Sequence, residues 1–179
     1  MIIGLSGYAR SGKDEVAKIL MEEYGYKRIA FADKIRELLL ETNPLIKDGF
    51  RVEGVVDAYG WDQAKVLFPE IRNLLQDLGV GARKVFDDSF WIGQVFYSMD
   101  VDINYVITDV RFVNEAETIK SNNGKIWRIK RNGVEAVNGH VSEHDMDGYQ
   151  VDQILKNEGT LDDLRTMVRD RMELALNAN

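Results

Sequence analysis

The chain contains 179 residues, 45% hydrophobic and 30% charged, which predicts one globular domain and excludes a disordered or collagen-like chain. It has no cysteine and only two histidines, which excludes disulfides, thiolate metal sites and a cysteine nucleophile and disfavours structural zinc. The net charge of −7 argues against a nucleic-acid partner, because binding a phosphate backbone needs a cationic face.

The first part of the chain predicts two strands that each lead into a helix. The apolar run at residues 2–5 indicates a buried strand, and residues 13–23 have apolar positions at helical spacing. A second strand is predicted over 26–32, and Asp33 is placed to cap a helix that stops before Pro44.

The middle of the chain predicts helices rather than strands. Residues 42–68 show no clear period. Pro69 starts a helix whose apolar residues keep helical spacing until Gly79 closes it, and a further helix is predicted over 90–99.

The last part of the chain alternates strands with helices. Strands are predicted over 105–108, 125–130 and 151–155, and helices over 115–120 and after the capping box at 160–163. Residues 132–148 are polar, contain three glycines and indicate a long loop. The alternation predicts a parallel five-stranded sheet with helices on both faces and ligands at the carboxyl ends of its strands.

The sequence contains no segment typical of membrane insertion or export. No stretch approaches the roughly 20 apolar residues of a membrane span, and the first residues lack the basic segment of a signal peptide. We therefore expect a soluble, cytoplasmic protein without a membrane partner.

Residues 7–14 read GYARSGKD and fit the phosphate-binding pattern G-x-x-x-x-G-K-[ST] except at the last position. Glycines let the backbone curl so that successive N–H groups point at phosphate oxygens, and the following helix adds its partial positive charge. Lys13 is expected to reach the β- and γ-phosphates of ATP. The alternative is an ordinary glycine-rich turn between a strand and a helix.

Two acidic residues are candidate ligands for Mg²⁺ on such a nucleotide. Asp14 stands where a Ser or Thr hydroxyl normally binds the metal, and a carboxylate can hold Mg²⁺ directly or through water. Asp109 ends an apolar strand, a position from which an acid orients Mg²⁺ or its waters. The alternative for Asp14, with Glu15 beside it, is compensation of the helix dipole.

Arg111 lies two residues after Asp109, where the chain leaves the predicted sheet. A guanidinium there can bind a phosphate bidentately, and with Lys13 and Arg10 it would spread the charge of a transferring phosphoryl group. The alternative is a salt bridge to Glu115, which could also simply cap the following helix.

Cations and tryptophans of the middle helices form a further set of candidates. In an acidic chain the placement of basic residues beside strand ends or in an inserted helix is informative, and the set comprises Arg10, Lys13, Lys34, Arg36, Arg72, Arg83 and Arg111. A surface role without a ligand is the alternative for Arg36 and Arg83. Trp61 and Trp91 could stack on a base, and core packing is the alternative for each.

The segment that begins with Arg128-Ile129-Lys130-Arg131 and continues to His140-Val141-Ser142-Glu143 is a candidate lid. A mobile basic loop that closes over phosphates would exclude water and prevent wasteful ATP hydrolysis. The alternative is a solvated hairpin without a role. We expect His140 to bind or support rather than to act as a general base, because phosphoryl transfer to a phosphate needs little base assistance.

Several segments together carry the pattern of a family. They are LSGYARSGKD at 5–14, FADK at 31–34, IRNLLQDLG at 71–79, FW at 90–91, TDVRFVNE at 108–115, RNG at 131–133, HVSE at 140–143 and NEGTL at 157–161. In this order the chain resembles the deoxynucleoside monophosphate kinases that tailed phages encode, which are P-loop kinases. The phosphate loop is shared by many kinases, whereas the segments at 71–79 and 108–115 are much more specific.

The resemblance implies an adenylate-kinase-like P-loop NTPase fold in a single kinase domain. The core would comprise residues 1–32, 101–131 and 149–179. A helical monophosphate-binding insert would cover about 33–100, and a lid-like loop would cover about 132–148. A homodimer is compatible with this arrangement, and the location would be the host cytoplasm if the protein is phage-encoded.

The resemblance also implies roles for residues at matching positions. The implied catalytic residues are Lys13, Arg10 and Arg111. The implied ATP and phosphate ligands are Gly7, Arg10, Ser11, Gly12, Lys13, Asp14, Glu15 and Asn157. The implied monophosphate ligands are Lys34, Arg72, Gln76, Trp91, Arg111, Glu115, Arg131, His140 and Glu143. The implied Mg²⁺ ligands are Asp14 and Asp109.

Two departures from the family pattern bear on specificity. The family often has Thr where this chain has Glu15, and it often has Gly-Thr-Asp or Gly-Thr-Glu where this chain has Gly79-Val80-Gly81. Because polar groups are missing at the second position, the resemblance does not carry a base preference over to this chain.

The sequence therefore predicts an enzyme that uses ATP and Mg²⁺ to phosphorylate a deoxynucleoside monophosphate to the diphosphate. One alternative is a phosphomevalonate kinase-like or other small-molecule phosphate kinase, which also resembles a phosphate loop with Asp after Lys. A base-stacking aromatic pocket would favour the nucleotide, and a small, wholly polar pocket would favour the isoprenoid. A second alternative is a non-catalytic nucleotide-binding switch, which would need no second anion site.

Overall fold

A computed structural model describes residues 1–136 and 139–177 and divides the chain into two compact units. Met1–Ala30 and Ser98–Asn179 form a unit that contains the sheet, here called the α/β unit. Phe31–Tyr97 forms the second, here called the helical unit. The sequence predicts an insert over about 33–100, and its assignment to monophosphate binding stays a prediction.

The sheet of the α/β unit is parallel throughout. Its strands are β1 (Ile2–Ser6), β2 (Lys27–Ile29), β3 (Tyr105–Ile107), β4 (Lys125–Lys130) and β5 (Gln153–Lys156). They lie in the order β2-β3-β1-β4-β5, so β1 pairs with both β3 and β4. This confirms the predicted five-stranded parallel sheet, and it brings the carboxyl ends of β1, β3 and β4 to one edge.

Helices occupy most of the remaining described chain. They are α1 (Lys13–Tyr24), α2 (Phe31–Thr42), α3 (Val52–Leu67), α4 (Pro69–Val85), α5 (Phe90–Tyr97), α6 (Val113–Ser121), α7 (Val141–His144) and α8 (Leu161–Asn177). In the described residues, no helix is both long enough and apolar enough to span a bilayer.

Alternate residues of β1 face opposite layers of the α/β unit. Ile3 and Leu5 are fully buried in a core shared with side chains of α1 and α8. Gly4 faces the other layer, where a Cβ atom would lie 2.8–2.9 Å from side-chain carbons of Val110, Ile119 and Ile126. Helix α6 therefore packs on the sheet as closely as it does because residue 4 has no side chain.

The helical unit has a core of its own. Six buried side chains form it: Leu39, Ile46, Val52, Val55, Ala64 and Ile71. Helix α3 is interrupted at Gly60, where φ is 69° and ψ is 162°. Trp91 ties α5 to α4, because its Nε1 donates a hydrogen bond to the carbonyl oxygen of Gly79 at 2.8 Å.

Several element limits differ from the prediction because contacts between elements override local signals. Helix α4 continues through Gly79 and Gly81 to Val85 rather than closing at Gly79. A Cβ at Gly79 would lie 3.2 Å from Ile35, so a small residue there suits the packing of α2 against α4. Glycine inside a helix costs only about 1 kcal/mol relative to alanine, which such packing offsets.

Other corrections concern shorter segments. Strand β2 ends at Ile29, and α2 begins at Phe31, ahead of the predicted cap at Asp33. The stretch without a period contains α3, and α5 ends at Tyr97 rather than at residue 99. Strand β5 begins two residues later than predicted, and the predicted long loop contains α7.

Candidate active site

The phosphate loop between β1 and α1 has the curled backbone that the sequence predicts. Gly7, Arg10 and Gly12 have φ values of 130°, 67° and 106°, which lie in the left-handed region. A Cβ at Gly7 would overlap the carbonyl oxygen of Ile129, and one at Gly12 would overlap the side-chain nitrogen of Asn157. Glycine is required at both positions by backbone conformation and by close neighbours.

Asn157 connects the end of β5 to this loop. Its Nδ2 donates to the carbonyl oxygen of Ser11 at 2.9 Å, and its backbone N–H donates to the carbonyl oxygen of Lys130 at 2.8 Å. Asn157 thus holds the loop in place through Ser11, whereas its predicted contact with ATP stays a prediction. Ser11 itself is 1% exposed, and its Oγ has no hydrogen-bond partner among the described residues.

Lys13 is folded back over the loop. Its Nζ donates to the carbonyl oxygens of Gly7 and Tyr8, both at 2.8 Å. Burial, followed by repulsion from Arg111, lowers the pKa of Lys13 to about 8. Three carboxylates, those of Asp14, Asp109 and Glu143, oppose this shift. The ammonium group is therefore poorly solvated and gains from an anion placed beside it.

Two of the opposing carboxylates are the predicted Mg²⁺ ligands. Asp14 is exposed in the first turn of α1, and Asp109 is half-buried just after β3. In residues 1–136 and 139–177 there is no group of three or more acidic or histidine side chains that could hold a metal. Two carboxylates near the phosphate loop fit Mg²⁺ all the same, because Mg²⁺ usually takes one or two carboxylates plus phosphate and water oxygens.

Arg111 extends from the end of β3 towards α7. Its Nη1 donates to Oε1 of Glu143 at 2.7 Å and lies 3.4 Å from the carbonyl oxygen of Ser142. Glu115, the partner in the alternative of a salt bridge, contacts the backbone of Arg111 and Phe112. Oε2 of Glu115 accepts from the backbone N–H groups of Arg111 at 2.8 Å and Phe112 at 3.0 Å.

Two predicted monophosphate ligands serve helix ends in this structure. Glu115 is 3% exposed and caps α6 through the contacts just described, which corresponds to the capping alternative. His140 caps α7, because its Nδ1 accepts from the backbone N–H of Ser142 at 3.2 Å. Contact of either residue with a substrate stays a prediction.

The predicted lid-like loop is docked on the α/β unit. Asp147 Oδ1 accepts from the hydroxyl of Tyr8 at 2.9 Å, and Asp145 Oδ2 accepts from the backbone N–H of Val113 at 2.8 Å. Arg128 donates to the carbonyl oxygen of Met146. Residues 137 and 138 of this loop lie outside the described residues.

A cavity of about 510 Å³ lies beside the phosphate loop. Five basic residues contribute to its lining: Arg111, Arg128, Lys130, Arg131 and Lys156. Glu143, Asp147 and Glu158 are the acidic residues of the lining. Basic side chains therefore outnumber acidic ones here, in a chain whose net charge is −7, so the cavity suits an anionic ligand.

Part of the cavity lining was predicted from the sequence. Gly7, Ser11, Arg111, Arg131 and Glu143 were predicted as site residues and line the cavity. Lys156 was not predicted as a site residue, and Arg128 and Lys130 were predicted only as cations of the candidate lid. A usable signal was their position at the ends of adjacent strands, since Lys130 pairs with Lys156 in the register of β4 and β5.

The other predicted monophosphate ligands belong to the helical unit. Lys34 donates to Oε2 of Glu37 at 2.6 Å on the surface of α2, while Arg72 and Gln76 are half-buried on α4. Trp91 is only 4% exposed and packs edge to face against Phe90, with ring centroids 4.9 Å apart. This corresponds to the alternative of core packing, and contact of Trp91 with the monophosphate stays a prediction.

A known family matches the middle and later parts of this chain. The family described as "Deoxynucleotide monophosphate kinase" matches residues 64–168 of this chain. The matched region includes α4, β3, α6 and β4 and therefore contains Asp109 and Arg111.

Two curated relatives carry similar descriptions. A deoxynucleotide monophosphate kinase of Escherichia phage RB69 is 29% identical over 105 residues, covering 55% of this chain but only 43% of its own length. A putative deoxynucleotide monophosphate kinase of Acanthamoeba polyphaga mimivirus is 28% identical over 182 residues, covering 94% of each chain. The chain thus spans less than half of the first relative and nearly all of the second.

Two solved structures of kinases align with nearly the whole of this chain. Shikimate kinase from Acinetobacter baumannii in complex with shikimate aligns with a TM-score of 0.50 and 11% identity, over 99% of this chain and 94% of its own. Dephospho-CoA kinase from Campylobacter jejuni aligns with a TM-score of 0.47 and 16% identity, over 99% and 98%. At this identity the first likeness shows the P-loop kinase fold alone, which confirms the predicted fold class.

Proposed function

Because this chain belongs to the deoxynucleotide monophosphate kinase family, we propose that it transfers the γ-phosphoryl group of ATP to a deoxynucleoside monophosphate, forming the diphosphate. The observation that carries the proposal is a phosphate loop beside a cavity lined by five cations, in a chain of net charge −7. A polyanionic ligand explains why a protein with an excess of acidic residues concentrates basic ones there.

In the proposed reaction an oxygen of the acceptor phosphate attacks the γ-phosphorus in line. The bond from the γ-phosphorus to the β–γ bridging oxygen breaks, and ADP leaves. Lys13, Arg10 and Arg111 stabilise the negative charge that spreads over the transferring group. The N–H groups of the phosphate loop, held by Asn157 through Ser11, bind the β-phosphate.

We assign Asp14 and Asp109 to holding Mg²⁺, which when bound would offset the negative charge of the phosphates. Both carboxylates already act electrostatically on Lys13, which supports their placement near the phosphates. Lys34, Arg72 and Gln76 of the helical unit are assigned to the monophosphate on the resemblance alone. A cytoplasmic location and a homodimer stay predictions from the sequence.

A coupled assay with ATP and Mg²⁺ tests the function across all deoxy- and ribonucleoside monophosphates. We expect ADP formation that depends on at least one deoxynucleoside monophosphate. Lys13→Ala is the control, and it should lower kcat about 10²–10³-fold in a folded protein, because a charge aimed at the transferring group is lost.

Two outcomes would overturn the proposal, one in the same assay extended to phosphorylated isoprenoids and one in a parallel measurement of ATP binding. Turnover only with a phosphorylated isoprenoid such as phosphomevalonate would identify a small-molecule phosphate kinase. ATP binding without transfer to any acceptor would identify a nucleotide-binding switch.

A further inference from the structure

Glu143 is a buried carboxylate at the edge of the cavity. Its side chain is 3% exposed, and its Oε1 accepts from Nη1 of Arg111 at 2.7 Å. A carboxylate this far from water is costly unless a charged partner is present, so its position depends on Arg111. The resemblance implies that Glu143 contacts the substrate, but a carboxylate would repel the phosphate of that substrate.

Arg111 is held at two points. Its backbone N–H donates to Glu115 at 2.8 Å, which fixes the main chain where it leaves β3. One edge of its guanidinium, at Nη1, is held by Glu143. The side chain remains 39% exposed and lines the cavity. A guanidinium is planar and rigid, so holding one edge fixes the direction in which its other N–H groups point.

Without Glu143, the surroundings of Arg111 would favour movement of its guanidinium group away from the site. Arg111 and Lys13 are close enough for their repulsion to be the second-largest cause of the lowered pKa of Lys13, whereas Glu143 acts in the opposite sense. A long arginine side chain without a partner also gains rotamer freedom by moving into water. Glu143 counters both tendencies, because its carboxylate is an opposite charge held against the Arg111 guanidinium.

We propose that Glu143 is a positioning residue for phosphoryl transfer, which holds the Arg111 guanidinium beside Lys13 before the nucleotide binds. The inference rests on the proposed function and names a residue on which the rate of phosphoryl transfer depends. Charges that are already in place when the transition state forms stabilise it without reorganisation. Removing Glu143 should therefore lower kcat more than it changes KM.

The segment that presents Glu143 has other anchors, which makes a matched control available. Asp145 holds the same segment by accepting from the backbone N–H of Val113 at 2.8 Å. This contact is made to the start of α6 and not to the Arg111 side chain. Asp145→Ala therefore removes an anchor of the docked segment while leaving the ion pair between Glu143 and Arg111 intact.

The test is a double-mutant cycle of Glu143→Ala and Arg111→Ala, with kcat and KM measured for both substrates. We expect Glu143→Ala to lower kcat about 10-fold or more with KM changed less than about 3-fold, as for other residues that orient a functional group. In the Arg111→Ala background the same change should alter kcat by less than about 2-fold, because the two residues act as a unit.

Conservative and control variants separate positioning from folding. Glu143→Gln keeps an oxygen that can accept from Nη1 and should recover part of the lost kcat. Asp145→Ala should keep kcat within about 2-fold of the parent if general docking of the segment is not what matters. Melting temperatures of all variants check that each one is folded.

Several results would overturn the inference. These are an unchanged kcat in Glu143→Ala, an equal loss in the Arg111→Ala background, a faster or tighter-binding enzyme, or an equal loss in Asp145→Ala. If the parent transfers phosphate to no deoxynucleoside monophosphate, the proposed function fails by itself. The same cycle is then measured as affinity for inorganic tripolyphosphate, where a weakening of at most about 3-fold on Glu143→Ala should again disappear in the Arg111→Ala background.

Discussion

The side chain of Lys13 lies in a part of the α/β unit where burial disfavours its charged form. Since its pKa is lowered to about 8, the ammonium group loses its proton as pH rises through that value. Bound phosphates favour the charged form and raise the pKa again. ATP binding above pH 8 is therefore expected to take up a proton and to weaken as pH rises.

We expect the affinity for ATP to fall about 10-fold between pH 7 and pH 9, because only about a tenth of Lys13 is charged at one unit above its pKa. Calorimetry in buffers of different ionisation enthalpy measures both the affinity and the proton uptake. Lys13→Arg is the control, since a guanidinium does not titrate in this range. Equal affinity at both pH values without proton uptake would contradict the assignment.

Asp14 is the residue where the loop departs from the usual hydroxyl. A carboxylate near the triphosphate is unfavourable unless a cation intervenes, so ATP binding should depend steeply on Mg²⁺. We expect Asp14→Asn to bind metal-free ATP better than the parent but to turn over more slowly. The measurement is ATP affinity with and without Mg²⁺ for both proteins, and an equal response would leave Asp14 as a partner of the helix dipole only.

At the scale of elements, the distance between β1 and α6 depends on Gly4. A Cβ there would meet three side-chain carbons at 2.8–2.9 Å, and at least one of them must move. We expect Gly4→Ala to lower the free energy of unfolding by about 1–3 kcal/mol, the usual cost of overpacking. Urea unfolding measures the change.

Gly148→Ala is the matched control for that substitution, because a Cβ at Gly148 would meet no atom within 4 Å. Its effect should stay within about 0.5 kcal/mol. A Gly4→Ala protein as stable as the parent would show that α6 moves away from the sheet without loss.

For the whole molecule, nucleotide binding should appear as thermal stabilisation. A ligand at 100 times its Kd stabilises the folded state by about 2.7 kcal/mol, which for a chain of this size raises the melting temperature by about 5–10 °C. We expect such a shift with ATP and not with adenosine, which lacks the phosphates that the cationic cavity would bind. An equal rise in melting temperature with adenosine would show that the binding energy does not come from the phosphates.

The parallel sheet and the phosphate loop could be predicted from the sequence, because both follow from local patterns of residues. An apolar run followed by GYARSGKD specifies a strand, a curled loop and a helix within the first 24 residues. Alternating strands and helices then leave few arrangements other than a parallel sheet. Asp109 and Arg111 could be recognised for the same reason, since they directly follow a predicted strand.

Pairs of side chains that lie far apart in the chain could not be predicted in this way, because they meet only in the folded protein. Arg111 and Glu143 are 32 residues apart, and Asn157 and Ser11 are 146 apart, so no local spacing relates them. The limits of α4 and the burial of Trp91 also depend on packing between helices, which outweighs the local signal of Gly79. Motifs follow from neighbours in sequence, whereas ion pairs and close packing follow from neighbours in space, and those exist only after the chain has folded.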